Sequence, residues 1–290
     1  MKSRFWAAAA IAAAMILCLS GAAVAQDKAV GSDANPVVEQ LGSRGVVNWT
    51  GGYVEAVGIG APPQRYVGTP QARPNALRAG QIDAYRNLIE VINGVRVDST
   101  TTIRDFTVES DIINTQVQGI VKGAKTIKQE YLSDGTVEVT VRMPLSGNFS
   151  AVIVPRILEK RQVMIPPATP PPPAATSETV TGLVVDARGI QARPAMSPRI
   201  LDEKGQEVYG SMNVDREYAV QQGMSGYARD LTAAQSNPRV TNNPVSVKGI
   251  RTEGAGRSDI VIAEADAEKI RAAGDSGGFL KKCRVMIVLD

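Results

Sequence analysis

The chain of 290 residues contains no histidine and only two cysteines. The lack of histidine excludes Ser-His-Asp and Cys-His catalysis and zinc sites built on imidazole. Cys18 lies in the apolar N-terminal run, so Cys283 stands alone beyond it and no internal disulfide is expected. We expect Cys283 to be a small buried hydrophobe, with pairing between chains as the alternative. The sequence predicts no metal site and no cofactor.

An excess of one charge is also missing. Residues 26–162 carry 15 basic and 14 acidic side chains, and residues 163–290 carry 15 of each. Binders of nucleic acid or anionic membranes concentrate basic residues, so neither partner is expected. Aromatic residues make up 4% of the chain. Trp49, Tyr53 and Tyr66 are the candidates for a stacking platform in a glycan- or peptide-binding module, with core packing as the competing interpretation.

Phosphate-binding loops are absent as well. Gly58-Ile59-Gly60 resembles the start of a dinucleotide loop, but Ala61-Pro62-Pro63 follows where a helix should open, so it is interpreted as the end of a strand. The remaining catalytic chemistry is a carboxylate pair. Asp186 with Asp202 or Glu203 is the best candidate for a carboxylate-only cell-wall hydrolase, which needs one raised pKa and a separation of about 5–10 Å. Solvated turn carboxylates are the competing interpretation.

What the N-terminus does contain is a secretory signal. Lys2 and Arg4 precede an apolar run, Phe5–Leu19, and the small residues Ala23-Val24-Ala25 follow. We predict a signal peptide over residues 1–25, cleavage after Ala25 and a periplasmic protein. The run is short for a membrane span and no second one follows, so no integral span is expected after its removal. The residues before Cys18 are large, which disfavours a lipoprotein.

Composition divides the remainder into segments. Residues 166–179 are rich in proline and predict an extended linker. Residues 26–42 are polar and predict a flexible N-terminus. The segments 43–165 and 180–290 have ordinary domain sizes. We expect two small α+β domains, each with helices on one face of a mostly antiparallel sheet, joined by the linker.

Turn residues and periodicity predict the elements of the first domain. Val46–Thr50 and Tyr53–Ile59 flank a diglycine and indicate a hairpin, and a second hairpin turns at Asp134-Gly135. A short helix begins after Ser110 and ends at Gly123, and Phe149–Lys160 indicates a last helix.

The longest predicted helix covers Gln71–Asn93 and ends at a left-handed Gly94. Its apolar stripe consists of Ile82, Tyr85, Ile89 and Ile92. Asp83, Arg86 and Glu90 form the opposite, charged face. A solvated surface is one interpretation of that face, and a partner-contact site is the other.

The second domain is predicted from shorter patterns. Strands are expected at Thr181–Asp186, Val245–Ile250, Ile260–Ala263 and Cys283–Leu289, with a turn between Leu201 and Val208. Helical spacing links Val220, Met224, Tyr227 and Leu231, although glycines weaken that helix. A further helix is expected over Asp266–Ala273.

Part of the first domain resembles a known family. The strand Val54–Gly60 ends in A-V-G-x-G, the helix carries Asp83-Ala84-Tyr85-Arg86-Asn87-Leu88, and Val97-Asp98-Ser99 follows. This pattern resembles the LPP-twenty type of bacterial envelope lipoprotein domain and is similar to the N-terminal domain of flagellar assembly protein T. It covers Val46–Leu145, about a third of the chain. The lipidation cysteine of the lipoprotein members is missing.

The resemblance implies a non-enzymatic structural or interaction protein of the envelope. Its partners would be envelope or flagellar basal-body proteins, and its specific role would be to support assembly or stability of the basal body. The alternatives are a periplasmic glycan- or peptide-binding module and the carboxylate-only hydrolase described above. Nothing in the sequence identifies the role of the second domain or the oligomeric state.

Overall fold

The computed structural model describes residues 35–162 and 180–290. The predicted signal peptide, the start of the predicted flexible N-terminus and the proline-rich linker lie outside these residues. Within them the chain forms two β-sheets and seven α-helices, which confirms the α+β class. The described residues belong to a single compact unit that contains both sheets.

The first sheet is antiparallel throughout, with strand order β1-β2-β3-β5-β4. Both predicted hairpins are present, β2–β3 at the diglycine and β4–β5 at Asp134-Gly135. The segment expected to be flexible up to Gly42 contains a strand, because its backbone pairs with β2. The strands are β1 (Val38–Gln40), β2 (Gly45–Asn48), β3 (Tyr53–Gly60), β4 (Lys125–Tyr131) and β5 (Val137–Pro144).

Four helices accompany this sheet: α1 (Ala72–Asn93), α2 (Ile103–Glu109), α3 (Asp111–Lys122) and α4 (Asn148–Gln162). Ser110 caps α3 as predicted, since its side chain accepts a hydrogen bond from the Ile113 N–H. Helix α2 was not predicted, although Thr102 and Asp105 form a capping box at its start. Gly94 ends α1 with φ −83°, so the predicted left-handed conformation is wrong. A right-handed turn suffices there because the Gly94 N–H still bonds to carbonyls of the last helical turn.

The buried stripe of α1 differs from the predicted one. Ile82 is 46% exposed, whereas the small residues Ala76, Gly80 and Ala84 are fully buried. The reason is the distance between α1 and β3. A Cβ added at Gly58 would lie 2.0 Å from the Ala84 nitrogen. Only small side chains fit between backbones this close, so the isoleucine lies outside the contact. Tyr85 and Ile89 pack at the margin of the core, and Ile92 is buried as expected.

The second sheet has seven strands in the order β8-β7-β11-β10-β6-β12-β9 and is mixed. Parallel pairing joins β6 to β10, β6 to β12, β9 to β12 and β7 to β11, which differs from the expected mostly antiparallel arrangement. Strands β11 and β12 are buried along their whole length, as in sheets covered on both faces. The strands are β6 (Gly182–Asp186), β7 (Arg199–Leu201), β8 (Glu207–Tyr209), β9 (Gly226–Ala228), β10 (Pro244–Glu253), β11 (Asp259–Ile262) and β12 (Val285–Val288).

Helices of this part are α5 (Arg216–Gln222), α6 (Leu231–Gln235) and α7 (Glu264–Gly277). The single helix predicted across residues 220–231 is wrong. Gly223 adopts φ +78°, which ends α5, and the next residues form β9 against β12. Tyr227 therefore lies in a strand, and its hydroxyl bonds to the backbone of Ala195.

The two sheets share a buried junction. Trp49 is 6% exposed, and its ring meets that of Tyr227 edge-to-face with centroids 5.7 Å apart. Backbone hydrogen bonds also cross the junction, from Met196 N–H to the Arg96 carbonyl and from Gly256 N–H to the Ser99 carbonyl. Among the described residues, none of the helices is long and apolar enough to cross a membrane.

Candidate functional site

The three residues of the predicted partner-contact face have different environments. Arg86 and Glu90 are exposed on α1, but Asp83 turns toward the first sheet. Its carboxylate accepts a hydrogen bond from the Ile59 N–H at 2.9 Å and contacts the Arg44 guanidinium at 3.3 Å. Asp83 therefore holds α1 against the end of β3, and it is set apart from the other two.

The exposed face of α1 is instead a ridge of four residues. Arg78, Ile82, Arg86 and Glu90 are all exposed and follow one another at intervals of four. Residues at this spacing lie on one side of a helix, and twelve residues of rise extend about 18 Å. We call these four residues the α1 ridge. It presents one guanidinium group on each side of an isoleucine, and a carboxylate at one end.

The α1 ridge is held rigidly from behind. Gly58 and Gly60 allow β3 to approach the helix backbone, and a Cβ at Gly60 would lie 2.0 Å from the Ala76 carbonyl oxygen. The Asn87 amide donates to the Val57 carbonyl at 2.7 Å on the same side as Asp83. The backbone of α1 is therefore held in place by the first sheet.

The carboxylates proposed for hydrolysis are neutralised by arginines or backbone donors. Asp202 is fully buried, contacts the Arg271 guanidinium at 2.6 Å and accepts the N–H groups of two turn residues. Asp186 forms a two-contact pair with Arg188 at 2.7 and 2.8 Å. Glu203 is exposed and accepts the Glu264 N–H at the start of α7.

The pKa directions of Asp186 and Asp202 do not match a general acid. Burial by itself raises the pKa of Asp202, but the Arg271 hydrogen bond, backbone donors and charge outweigh it, so the pKa is lowered. The Arg188 hydrogen bond is the largest influence on Asp186, and its pKa is also lowered. Glycoside hydrolysis needs one carboxyl group that stays protonated, and neither aspartate has this property.

A second buried carboxylate was not predicted from the sequence. Asp259, at the start of β11, is fully buried, accepts the Ser99 hydroxyl at 2.5 Å and forms an ion pair with Arg199. Ser99 is the last residue of the V-x-S pattern, so that pattern supplies a contact between the two sheets. The available signal was the serine of the V-x-S pattern, which does not indicate its partner.

The aromatic candidates do not form a platform. Trp49 is in the core, and its indole N–H donates to Glu39 at 3.2 Å. The Tyr53 ring is covered by Arg142 at 4.0 Å, and the Tyr66 ring by Arg65 at 4.7 Å. These rings are occupied by packing and cation–π contacts, which is the competing interpretation stated above.

Neither Cys283 nor the open groove beside α5 provides reactive groups for catalysis. Cys283 is fully buried as predicted, and burial raises the pKa of its thiol to about 11. An open groove of about 470 Å³ lies between α4 and α5, lined by Ala151, Val220 and polar residues of α5. In the described residues, no group of three or more His, Cys, Asp or Glu side chains is arranged to hold a metal ion.

Residues 182–290 match a family model described as the second domain of Treponema pallidum Tp0624. The match begins at the first residue of β6 and includes the entire second sheet, so this part of the chain is similar to that domain. No curated protein matches the chain. The similarity extends over less than half of the chain. It relates the part that contains the second sheet to a known domain, but the description of that domain names no activity.

Proposed function

We propose that the chain is an exported, non-enzymatic interaction protein of the bacterial envelope that contacts its partner through the α1 ridge. The observation that carries the proposal is the exposed series Arg78, Ile82 and Arg86 on a helix that is otherwise packed tightly against the sheet. The resemblance of the first domain directs the proposal to the flagellar basal body as the assembly that the protein supports.

The chemistry of the ridge favours a protein partner. Arginine and large apolar side chains provide much of the binding energy in protein interfaces, and arginine recognises carboxylates with two parallel hydrogen bonds. A complementary surface would place acidic residues on either side of an apolar side chain. Nucleic acid is a poor fit, because the ridge also contains Glu90 and the chain is nearly neutral beyond residue 25.

Rigidity adds to this argument. The α1 backbone is fixed by β3 and by Asp83, so binding orders only side chains and little conformational entropy is lost. The neutralised Asp186 and Asp202 favour a binding role over hydrolysis, since both carboxylates stabilise turns and ion pairs.

The test is site-specific photocrosslinking in living cells. A photoreactive amino acid at Ile82 should give discrete adducts, and the same amino acid at Ile112 serves as the matched control. Ile112 lies on α3 and is 68% exposed, so it is at least as accessible as Ile82, which is 46% exposed. Adducts of equal pattern at both positions, or none at Ile82, would contradict the proposal.

A second variant tests whether the Ile82 adducts depend on the arginines of the α1 ridge. Arg78→Glu with Arg86→Glu should remove the Ile82 adducts while leaving thermal unfolding nearly unchanged, because both arginines are exposed. Identification of the crosslinked protein then tests the assembly. Basal-body proteins together with reduced motility of the variant would support the flagellar role, and recovery of peptidoglycan alone would favour the glycan-binding alternative.

A further inference from the structure

The first sheet has one long exposed edge. Within the described residues the two sheets have four edge strands, and β1, β8 and β9 each contain three residues. Strand β4 contains seven, of which six are exposed. Ile127 and Tyr131 are 44% and 49% exposed on it. A long edge with free backbone groups is a template for another strand.

The free hydrogen-bonding groups of β4 can be assigned. The Leu132 N–H donates to the Thr136 carbonyl at 2.9 Å, which makes this pair a hydrogen-bonded one. Hydrogen-bonded and open pairs alternate along antiparallel strands. Lys128 and Glu130 therefore bond to β5, and Gln129 between them turns its N–H and C=O toward the free edge.

The charges of β4 are not matched by its own neighbour. In the β4–β5 register Glu130 lies opposite Glu138, and Lys125 lies opposite Arg142. Like charges directly opposite each other destabilise a strand pair. Lys128 and Glu130 instead contact each other along the exposed strand at 2.9 Å.

We propose that β4 pairs with β4 of a second copy of this chain, antiparallel, about a two-fold axis at Gln129. Residues 127–131 read Ile-Lys-Gln-Glu-Tyr, which is self-complementary about its centre. Lys128 then lies opposite Glu130 of the partner subunit, and Ile127 lies opposite Tyr131 of the partner subunit. The outward N–H and C=O of Gln129 bond to those of Gln129 of the partner subunit, and the two five-stranded sheets become continuous.

Registers with the axis shifted by one residue are worse. An axis at Lys128 places two lysines opposite each other, and an axis at Glu130 places two glutamates there. The bulge between Thr126 and Lys128 bends the strand and confines regular pairing to residues near the axis. An isologous contact of this kind closes on itself, so it gives a dimer and not a filament. The inference is independent of the α1 ridge, which lies on a different element.

Charge exchange provides the decisive test. Sedimentation of the exported protein at increasing concentration should reach twice the mass of one chain. Lys128→Glu or Glu130→Lys alone places like charges opposite each other twice per dimer, and each should raise the dimer Kd by about tenfold or more. Mixing the two single variants should restore dimerisation, because the two carboxylates of the Lys128→Glu chain then face the two lysines of the Glu130→Lys chain. The double variant should also dimerise.

A cysteine pair tests the axis itself. Gln129→Cys should form a disulfide-linked dimer, since paired Cα atoms at such a site lie about 5.5 Å apart. Ser133→Cys is the matched control, exposed on the same hairpin but four residues from the axis. The proposal would be overturned if the protein stayed monomeric at every concentration. It would also be overturned if the charge substitutions left the dimer Kd unchanged, or if the two cysteine variants crosslinked equally.

Discussion

The two halves of the molecule are both α+β, but they are stabilised in different ways. In residues 35–162 an antiparallel sheet packs against α1 through Gly58, Gly60, Gly80 and Ala84, almost backbone to backbone. In residues 180–290 a mixed sheet encloses ion pairs, and Asp202 and Asp259 are fully buried. The first half depends on the absence of side chains, whereas the second depends on charges that must remain paired. The comparison predicts that different substitutions destabilise each half.

Gly58→Val should have the largest effect, confined to the first half. Its side chain would lie where the Ala84 nitrogen and the Gly80 carbonyl oxygen are, at 2.0 and 2.4 Å from the new Cβ. Because both are backbone atoms, α1 must move, and we expect a loss of about 3 kcal/mol or more in the free energy of unfolding. Urea denaturation measures it. Gly119→Ala in α3 is the control, since its Cβ meets nothing within 4 Å and should stabilise slightly.

Asp202→Asn should be next, and it tests the second half. The variant leaves the part-buried Arg271 without its carboxylate, at a cost of about 2–3 kcal/mol. Asp186→Asn, whose partner Arg188 is 41% exposed, should cost less than about 1 kcal/mol. Equal losses for the two variants would show that burial does not distinguish these pairs.

The contribution of Asp202 to stability should depend on pH in a defined direction. The pKa of Asp202 is lowered in the folded protein, so the folded state binds its proton less tightly than the unfolded state. The resulting stability is fully present above the unfolded pKa, about 3.9, and is lost as pH falls through the folded value. The stability difference between the native protein and Asp202→Asn should therefore shrink below about pH 4. A difference that grows in acid would reverse the assignment.

Glu39→Gln should have a smaller effect, at the junction of the halves. Burial raises the pKa of Glu39, but Arg96, Trp49 and Arg193 outweigh this and lower it. Removing the charge weakens its hydrogen bonds to Arg96 and Arg193, and we expect a loss of about 1–2 kcal/mol. Trp49 is the one tryptophan beyond residue 25, so its fluorescence reports on this site. An emission maximum that does not move toward that of exposed indole would count against a junction effect.

The smallest effect is expected at Cys283. Its thiol has a pKa of about 11 and no exposed surface, so thiol reagents at pH 8 should label it only when the second half opens. Labelling should therefore accelerate in Asp202→Asn and much less in a first-half variant such as Gly58→Ala. Rapid labelling of the native protein would show that the second half opens locally without global unfolding.

Elements with a regular local pattern could be predicted from the sequence. The alternation of Val137, Val139, Val141 and Met143 around a turn at Asp134-Gly135 predicted the β4–β5 hairpin, and Ser110 predicted the start of α3. Helix 220–231 failed because Gly223 takes a left-handed conformation and the paired β12 is far away in sequence. Propensity cannot anticipate a strand that exists only because its partner is adjacent.

The candidate site was predicted in part for the same reason. Helical spacing placed Arg86 and Glu90 on one face, and both are exposed. It also placed Asp83 there and Ile82 in the core, but Asp83 is partly covered because it bonds to β3, and Ile82 is exposed. The decisive factor was the approach of β3 to α1, which depends on glycines that precede the helix in the chain.

The sequence by itself determined the α+β class, both hairpins of the first sheet, the extent of α1 and the burial of Cys283, because each follows from local periodicity, turn chemistry or hydrophobicity. Only the tertiary structure decided which side of α1 faces solvent, that four strand pairings of the second sheet are parallel, and that Ser99 meets Asp259. Each of these depends on two segments distant in sequence that become neighbours after folding, and their contact energies outweigh the local preferences of either segment.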